Sequence, residues 1–385
     1  MKIVQIGSYP TDTNKIKGGV EASIYGLAVE LAKEHEVCVF DYPRQTVNED
    51  IVEKHHNVKV YRFRNKGKNN ICALQRLFSM LKKIKNSQPN ICHIHGTNLL
   101  SLMMWILLRF NGLKTIVTVH GLIHIEKTNA WKQNMNLINF FKLIYQSIAE
   151  FTLLSLRGDI IVDTEYVKQA IHQYKKQWKI CREPICHVIP QAISEVFFNL
   201  ERTPKPRQLL SVGAIGKRKG HKELIKAMEI VCKQVLNIRL TIVGGLHEAS
   251  YYKELIHTIK ILGLESVVSI QLDLSFQELL NLYSEAELFV LHTQEESQGI
   301  VFCEAMAVGL PIVTTSVGGV PYVLEHPKNA LLSEYGKIDT FADNIIYLLE
   351  NTQVQNAMTK TNREKARYYQ WSYVANSIVD LYLAL

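Results

Sequence analysis

Short apolar runs of strand length recur along this chain, each closed by a polar or glycine-bearing turn and followed by a longer stretch of helical periodicity. In the first half these runs are KIVQIG, EVCVFDY, VKVYRF, NICHIHG, KTIVTVHG and DIIVDT, with CHVIP (Cys186–Pro190) as the last. Helical patterns lie between them from Val20 to Glu34, through Cys72–Asn86, over Asn98–Phe110 and over Trp131–Leu156. Strands that alternate with helices predict right-handed βαβ units and a parallel sheet covered on both faces. The second half repeats the pattern: QLLSVG, IRLTIVGG, VVSIQL, ELFVLHT and LPIVTTS alternate with helical stretches, and three further helices follow near Thr340–Glu350, Val354–Tyr368 and Ser372–Ala384. A chain of 385 residues exceeds one core. The composition breaks at ERTPKPRQ (Glu201–Gln208), which carries two prolines and four charges and reads as a linker. The expected fold is α/β: two doubly wound, Rossmann-like parallel-sheet domains facing across a cleft, residues 1–203 and 204–370, with 371–385 as a terminal helix.

Composition narrows the setting. The N-terminus, MKIVQIGSYP, reads as a strand leading into a glycine-bearing loop rather than a signal peptide. The longest apolar run, Leu99–Leu108, is about half of what a membrane helix needs. Seven scattered cysteines without a C-x-x-C read as reduced thiols of a cytoplasmic protein. The net charge of +8 suits phosphate-bearing substrates or an anionic membrane. Zinc spacings and aromatic–glycine strand motifs are absent, so no nucleic-acid partner is expected. The basic segment CALQRLFSMLKKIKN alternates apolar and basic residues at helical spacing. It reads either as a solvated surface helix or as one lying peripherally on a membrane.

Ligands of open parallel sheets bind beyond the carboxyl ends of the strands, and the polar groups there are the candidates. Gly18 and Gly19 precede the first helix and let backbone approach an anion, although a Gly-Gly turn is also ordinary. His120 ends KTIVTVH and reads as a hydrogen-bonding group facing the cleft or as a histidine satisfied by backbone. His93 and His95 share one face of the preceding strand; without a third ligand at a characteristic spacing, a structural role is preferred to a metal pair. Lys217, Arg218 and Lys219 lie between glycines before a helix, where cations and a helix end complement a diphosphate or simply form a solvated basic turn. Gly244-Gly245 close another strand, where the backbone is expected to approach a bound nucleotide closely.

The segment EESQGIVFCEAMAVGLP (Glu295–Pro311) turns at Gly299 and continues as a helix over Ile300–Val308, apolar on every side except at Glu304. A helix without a polar face is buried, and a lone carboxylate in it needs a partner. Glu296 stands in the turn at the positive end of that helix. Two carboxylates beside backbone amides suit a ligand with hydroxyls and negative charge, such as a nucleotide-sugar; the plainer alternative is a capping Glu and a stray surface Glu. No two aspartates stand two apart, so the Asp-x-Asp metal site of other sugar-nucleotide enzymes is missing, and the charge of a sugar diphosphate falls to Lys/Arg and helix ends.

ESQGIVFCEAMAVGLPIV resembles the E-x7-E signature of the retaining GT-B glycosyltransferases of family 4 (group 1). The early Gly18-Gly19, His120, HVIPQAIS, SVGAIGKRKGHKELIKAM, VGG and SVGGVPYVL follow in the family's order over almost the whole chain. The resemblance implies a C-terminal helix crossing back to the first domain and sugar transfer from a UDP- or GDP-sugar with no cofactor and no metal. The implied acceptor is a glycan, lipid-linked and assembled at the inner face of the cell membrane. It further implies that Lys219 grips the donor diphosphate and Gly19 closes on the phosphates. Glu296 binds donor-sugar hydroxyls, and the amides of Ser297, Gln298, Gly299 and Ile300 contact sugar and phosphate. Glu304 holds the ribose, and His120 sits near the anomeric centre. The chain departs from the family at Ala214, where an arginine is usual, at Gln191-Ala192 and Ser194 in the PQAIS run, and at Ala330. Arg218 is expected to replace the missing arginine. Two other functions compete: a donor-binding or scaffolding subunit with a decayed site, and a sugar-nucleotide epimerase on the same fold.

Overall fold

A computed structural model of the chain describes residues 1–12, 18–41, 50–63, 70–122, 137–155, 158–177 and 184–385. The chain divides into two compact units, Met1–Ala192 with Trp371–Leu385, and Ile193–Gln370.

The first unit is built on eight strands, β1 (Lys2–Gly7), β2 (Glu36–Asp41), β3 (Ile51–His55), β4 (Val58–Arg62), β5 (Ile91–His95), β6 (Thr115–Val119), β7 (Asp159–Val162) and β8 (Ile185–Val188). They lie in the order β3-β4-β2-β1-β5-β6-β7-β8. All neighbours are parallel except β3 and β4, an antiparallel pair. The central strands β5 and β6 are buried at every residue, so they lack the in–out alternation of a half-solvated strand, and their polar residues, among them His93, His95 and Thr118, lie inside. β3 escaped that reading because it is an edge strand whose Ile51 and Val52 are exposed. His56 and Asn57, both at positive φ, turn the chain from it into β4. The expected helix Trp131–Leu156 appears as Leu137–Ser155, and residues 131–136 and 156 lie outside the described ones.

The terminal helix, Trp371–Ala384, belongs to this first unit. Its Trp371 ring lies over Gly26 of the helix Gly19–Leu31, where a Cβ would come within 2.2 Å of the indole. Glycine at 26 is thus the seat of the tryptophan. At the other end Tyr382 Oη meets His93 Nδ1 at 2.5 Å.

The second unit carries β9 (Gln208–Val212), β10 (Arg239–Gly244), β11 (Val268–Leu272), β12 (Leu288–Leu291), β13 (Ile312–Thr315) and β14 (Leu331–Ser333), ordered β11-β10-β9-β12-β13-β14 and parallel throughout. The three-residue β14 is too short to show a period. The segment Glu201–Gln208 is not a linker, and the domain limits of 203 and 204 move to 192 and 193. Its charges and backbone strap it onto the second unit. Arg202 donates to the carbonyls of Gly309 (2.8 Å), Ala286 (3.2 Å) and Glu287 (3.3 Å), and the Lys205 amide donates to Glu285 O at 2.8 Å. A run of prolines and charges looks like a spacer in sequence; here the charges answer helix ends and loop carbonyls.

Candidate active site

The strand order of the second sheet reverses between β9 and β12, so the loops leaving these two neighbours part to opposite faces. After β9 the chain passes Gly213 and Ala214 and makes a single 3-10 turn over Lys217–Lys219. Gly220 follows at φ +59°, and a Cβ on it would lie 1.8 Å from the His292 carbonyl oxygen of the β12 loop. Only glycine lets the basic turn settle there, and the Gln294 amide seals it by donating to Arg218 O at 2.8 Å. Gly244 has a related role: its Cβ would fall 1.9 Å from Gly213 O, where the exits of β9 and β10 touch.

This packing brings Glu296 to the cations. Lys219 Nζ donates to Glu296 Oε1, to which Thr293 Oγ1 also donates at 3.1 Å. Arg218 Nη1 stands 3.5 Å from Glu296 Oε2 and donates to Glu295 O at 2.7 Å. The β13 loop holds the Glu296 backbone: Gly319 N donates to its carbonyl at 2.8 Å, and Gly318, at φ +51°, passes within 2.3 Å of that oxygen measured from a Cβ position. Burial pushes the Glu296 carboxyl up, but the Lys219 and Arg218 charges and the bonds from Lys219 and Thr293 outweigh it and hold the group below the usual carboxylate range.

Ser297 and Gln298 continue the turn, with the Gln298 amide reaching Cys303 Sγ at 3.4 Å. Gly299, at φ +75°, opens the helix Ile300–Val308, whose Phe302, Cys303, Ala305, Met306, Ala307 and Val308 are buried. Its one carboxylate, Glu304, accepts from Tyr283 Oη at 2.8 Å. Burial raises Glu304 to about 7 against the pull of that bond, so the group titrates near neutrality.

The remaining candidates lie in the first unit. Gly18 takes φ +154° and caps the helix Gly19–Leu31; a Cβ there would meet nothing within 4 Å, so packing does not demand this glycine. His120 follows β6, with Nε2 3.2 Å from His95 Nδ1 and the two rings stacked 5.4 Å apart. His95 stacks on His93 at 4.2 Å, and His93 Nε2 meets Thr118 Oγ1 at 2.5 Å. The three rings form a column tied to the terminal helix through Tyr382, and the structural reading of His93 rests on those two bonds. Among the described residues no group of three or more His, Cys, Asp or Glu side chains could hold a metal ion.

Of the residues singled out in the sequence, the structure brings Lys219 and Arg218 to Glu296 and sets Glu304 on Tyr283; Thr293 and Tyr283 were not among them. Thr293 stands three residues before Glu296, a spacing suited to a local hydroxyl–carboxylate bond, and could have been found. Tyr283 sits on the buried face of the helix Phe276–Glu285 and reads as core in any sequence.

A family model described as Glycosyl transferases group 1 matches residues 193–365, and one described as Glycosyltransferase Family 4 matches 17–194. The chain belongs to the group 1 glycosyltransferases of family 4. This glycosyltransferase is 28% identical over 181 residues to spore coat protein SA of Bacillus subtilis (strain 168); the match takes in 45% of the chain and 48% of the relative, so the chain spans about half the length of that curated relative. Sucrose-phosphate synthase from Thermosynechococcus elongatus has a similar structure, at TM-score 0.78 and 19% identity over 100% of this chain and 99% of that one. So has Anabaena Alr3699/HepE in complex with UDP and glucose, at TM-score 0.73 and 18% identity over 100% of both chains. These structures share the GT-B fold of the glycosyltransferase.

The histidine column makes its stability depend on pH. Burial lowers His93 to about 3 and His120 to about 4, and holds His95 well below its ordinary 6.5. At these three sites the unfolded chain therefore binds more protons than the folded one below pH 6.5. Their contribution to stability is complete above that pH and is lost as pH falls toward 4, by about 1.4 kcal/mol per pH unit for a buried group such as His93. Denaturant midpoints measured from pH 7 to pH 4 should fall accordingly, and His93→Gln should flatten the slope; equal slopes in the two proteins would contradict the assignment.

Proposed function

We propose that the protein transfers a sugar, with retention of anomeric configuration, from a UDP- or GDP-sugar to a growing glycan. The observation that carries this reading is the meeting of Lys219 and Arg218 with Glu296 where the second sheet's strand order reverses. Cations there suit a diphosphate, a carboxylate beside them suits sugar hydroxyls, and Glu304, about one turn into the helix Ile300–Val308, suits ribose hydroxyls as an acceptor. HepE, of the same fold, was solved with UDP and with UDP-glucose, which supports the donor class.

In the reaction the acceptor hydroxyl oxygen bonds to the anomeric carbon as the bond from that carbon to the phosphate oxygen breaks. The hydroxyl proton passes to the leaving phosphate. Lys219, Arg218 and the start of the helix Ile300–Val308 meet the charge that collects on that phosphate, and the reading assigns this work to them rather than to a metal ion. Glu296 orients the transferred sugar.

Arg218 is assigned the diphosphate contact that an arginine at position 214 supplies in the family. Its guanidinium already reaches the Glu296 carboxylate, whereas Ala214 offers only its carbonyl, which accepts from His221 at 3.4 Å. The acceptor is read as lipid-linked from the surface of the first unit. Phe78 (57% exposed), Phe110 (87%) and Ile148 (59%) stand out from three helices, with Lys82 and Lys85 exposed beside Phe78. Lys83 is tied to Asp50 at 3.1 Å and is not counted among them. Among the described residues no helix is long and apolar enough to cross a membrane. The surface is read as peripheral.

A purified sample incubated with UDP- and GDP-sugars and a lipid-linked acceptor should form product. Binding without product would make it a donor-binding subunit instead. Glu296→Ala should lose mainly kcat, roughly 100- to 1000-fold, and Glu304→Ala mainly donor affinity; two matching kinetic profiles would refute the division of labour. Arg218→Ala should raise the donor KM roughly 10- to 150-fold, the equivalent of a charge-assisted contact of about 1.5–3 kcal/mol, and an unchanged KM removes its role. Flotation with anionic vesicles should carry the protein upward, and Lys82→Gln with Lys85→Gln should reduce that fraction; indifference to the pair counts against membrane docking.

A further inference from the structure

The ion pair that marks the site also sets a condition on what binds there. Lys219 Nζ is bonded to Glu296 Oε1, with the lysine side chain 11% and the glutamate side chain 6% exposed. The ammonium has two further donors, but a diphosphate oxygen that bonds it competes for its charge with a buried carboxylate. Glu296 then keeps Thr293 and the longer Arg218 contact, and it faces a new negative charge close by. Stripping a partner from a buried ion is costly, and like charges at short range add to the cost.

We propose that Glu296 makes the site selective for an intact sugar nucleotide over the bare nucleoside diphosphate. Sugar hydroxyls donate to the carboxylate in place of Lys219, so an intact donor releases the lysine to the phosphates without leaving Glu296 uncompensated. A nucleoside diphosphate brings phosphate but no hydroxyl at that place, and the exchange is incomplete. The same imbalance favours release of the diphosphate once the sugar has left. The arrangement is local to two loops of one domain. It requires no movement of the helix Ile300–Val308, because the Glu296 backbone is held by Gly319 and its side chain alone changes partners.

This inference rests on the nucleotide-sugar reading above. Calorimetric titrations of the whole protein with UDP, GDP, UDP-glucose and GDP-mannose, in EDTA, test both. In Glu296→Gln the amide oxygen still accepts from Lys219 but without a charge to hold it, so the preferred nucleoside diphosphate should bind about tenfold tighter than to the unaltered protein. The sugar nucleotide should gain less, and the preference between the two should shrink. Lys219→Gln provides an independent readout: it should weaken the sugar nucleotide by a larger factor than the diphosphate. Diphosphate affinity that stays level or falls in Glu296→Gln overturns the inference, as does an equal loss of both ligands in Lys219→Gln. If the unaltered protein binds the sugar nucleotide, either of those results leaves the donor reading standing. If it binds none of the four ligands, both fall.

Discussion

Glu296 is a carboxylate that the second domain could not bury alone. An ionised carboxyl in so enclosed a place is tolerated only with partners of opposite charge and with its oxygens hydrogen-bonded. Those partners come from a different loop, seventy-seven residues away for Lys219. Much of the local architecture follows from that need. Gly220 is glycine because the basic turn must lie flat on the His292 carbonyl, and Gly318 because the β13 loop must reach the Glu296 carbonyl. A side chain at 220 would part the basic turn from the β12 loop and leave the carboxylate with Thr293, and one at 318 would push the β13 loop off the Glu296 carbonyl. The site is thus less a pocket into which residues point than a three-loop contact whose electrostatics close only when the backbone is correctly packed.

The first domain solves a similar problem with different chemistry. Its loop after β1 is held by Arg62, buried at 3% exposure, which is paired with Asp41 and donates to the carbonyls of Pro10 (2.7 Å) and Tyr9 (3.2 Å). Asp41 returns the contact by accepting the Tyr9 amide at 2.9 Å. The interior next to β5 and β6 uses neutral imidazoles instead of ions. Stacked histidines that cannot be charged at neutral pH supply hydrogen bonds to Thr118 and Tyr382 at lower desolvation cost than an ion pair, and they couple the sheet to the terminal helix.

The architecture was legible because parallel strands buried on both faces leave unbroken apolar runs, and the helices between them carry one apolar stripe. The limits of that legibility are physical. β3 is half solvated and β14 spans three residues, so neither has a period to detect. Glu201–Gln208 misled because sequence shows charges and prolines but not the carbonyls that Arg202 caps. At the site, the lone Glu304 in an apolar helix announced that a partner existed, yet nothing local named Tyr283, which comes from a helix that ends fifteen residues earlier. The Lys219–Glu296 bond could be anticipated only from the resemblance and the rule that ligands gather at strand ends; spacing alone carries no information on a contact between loops so far apart.

The departures from the family pattern can be weighed against this geometry. Ser194 accepts from the Val196 amide at 3.4 Å and caps the turn Glu195–Phe197, a task that serine and aspartate perform alike. Gln191 donates to Asp163 at 3.3 Å, and Ala330 is fully buried in the core of the second domain, so each has a structural place. Ala214 is different, since an arginine there would add a cation that alanine cannot. The chain has a triplet of cations in the same loop instead, and the 3-10 turn that presents Lys219 also aims Arg218 at the other oxygen of the same carboxylate. One turn thus supplies two charges to one anion, an arrangement that a decaying site has no reason to keep. With alanine at 214, both charges beside Glu296 come from the one turn that carries Arg218 and Lys219.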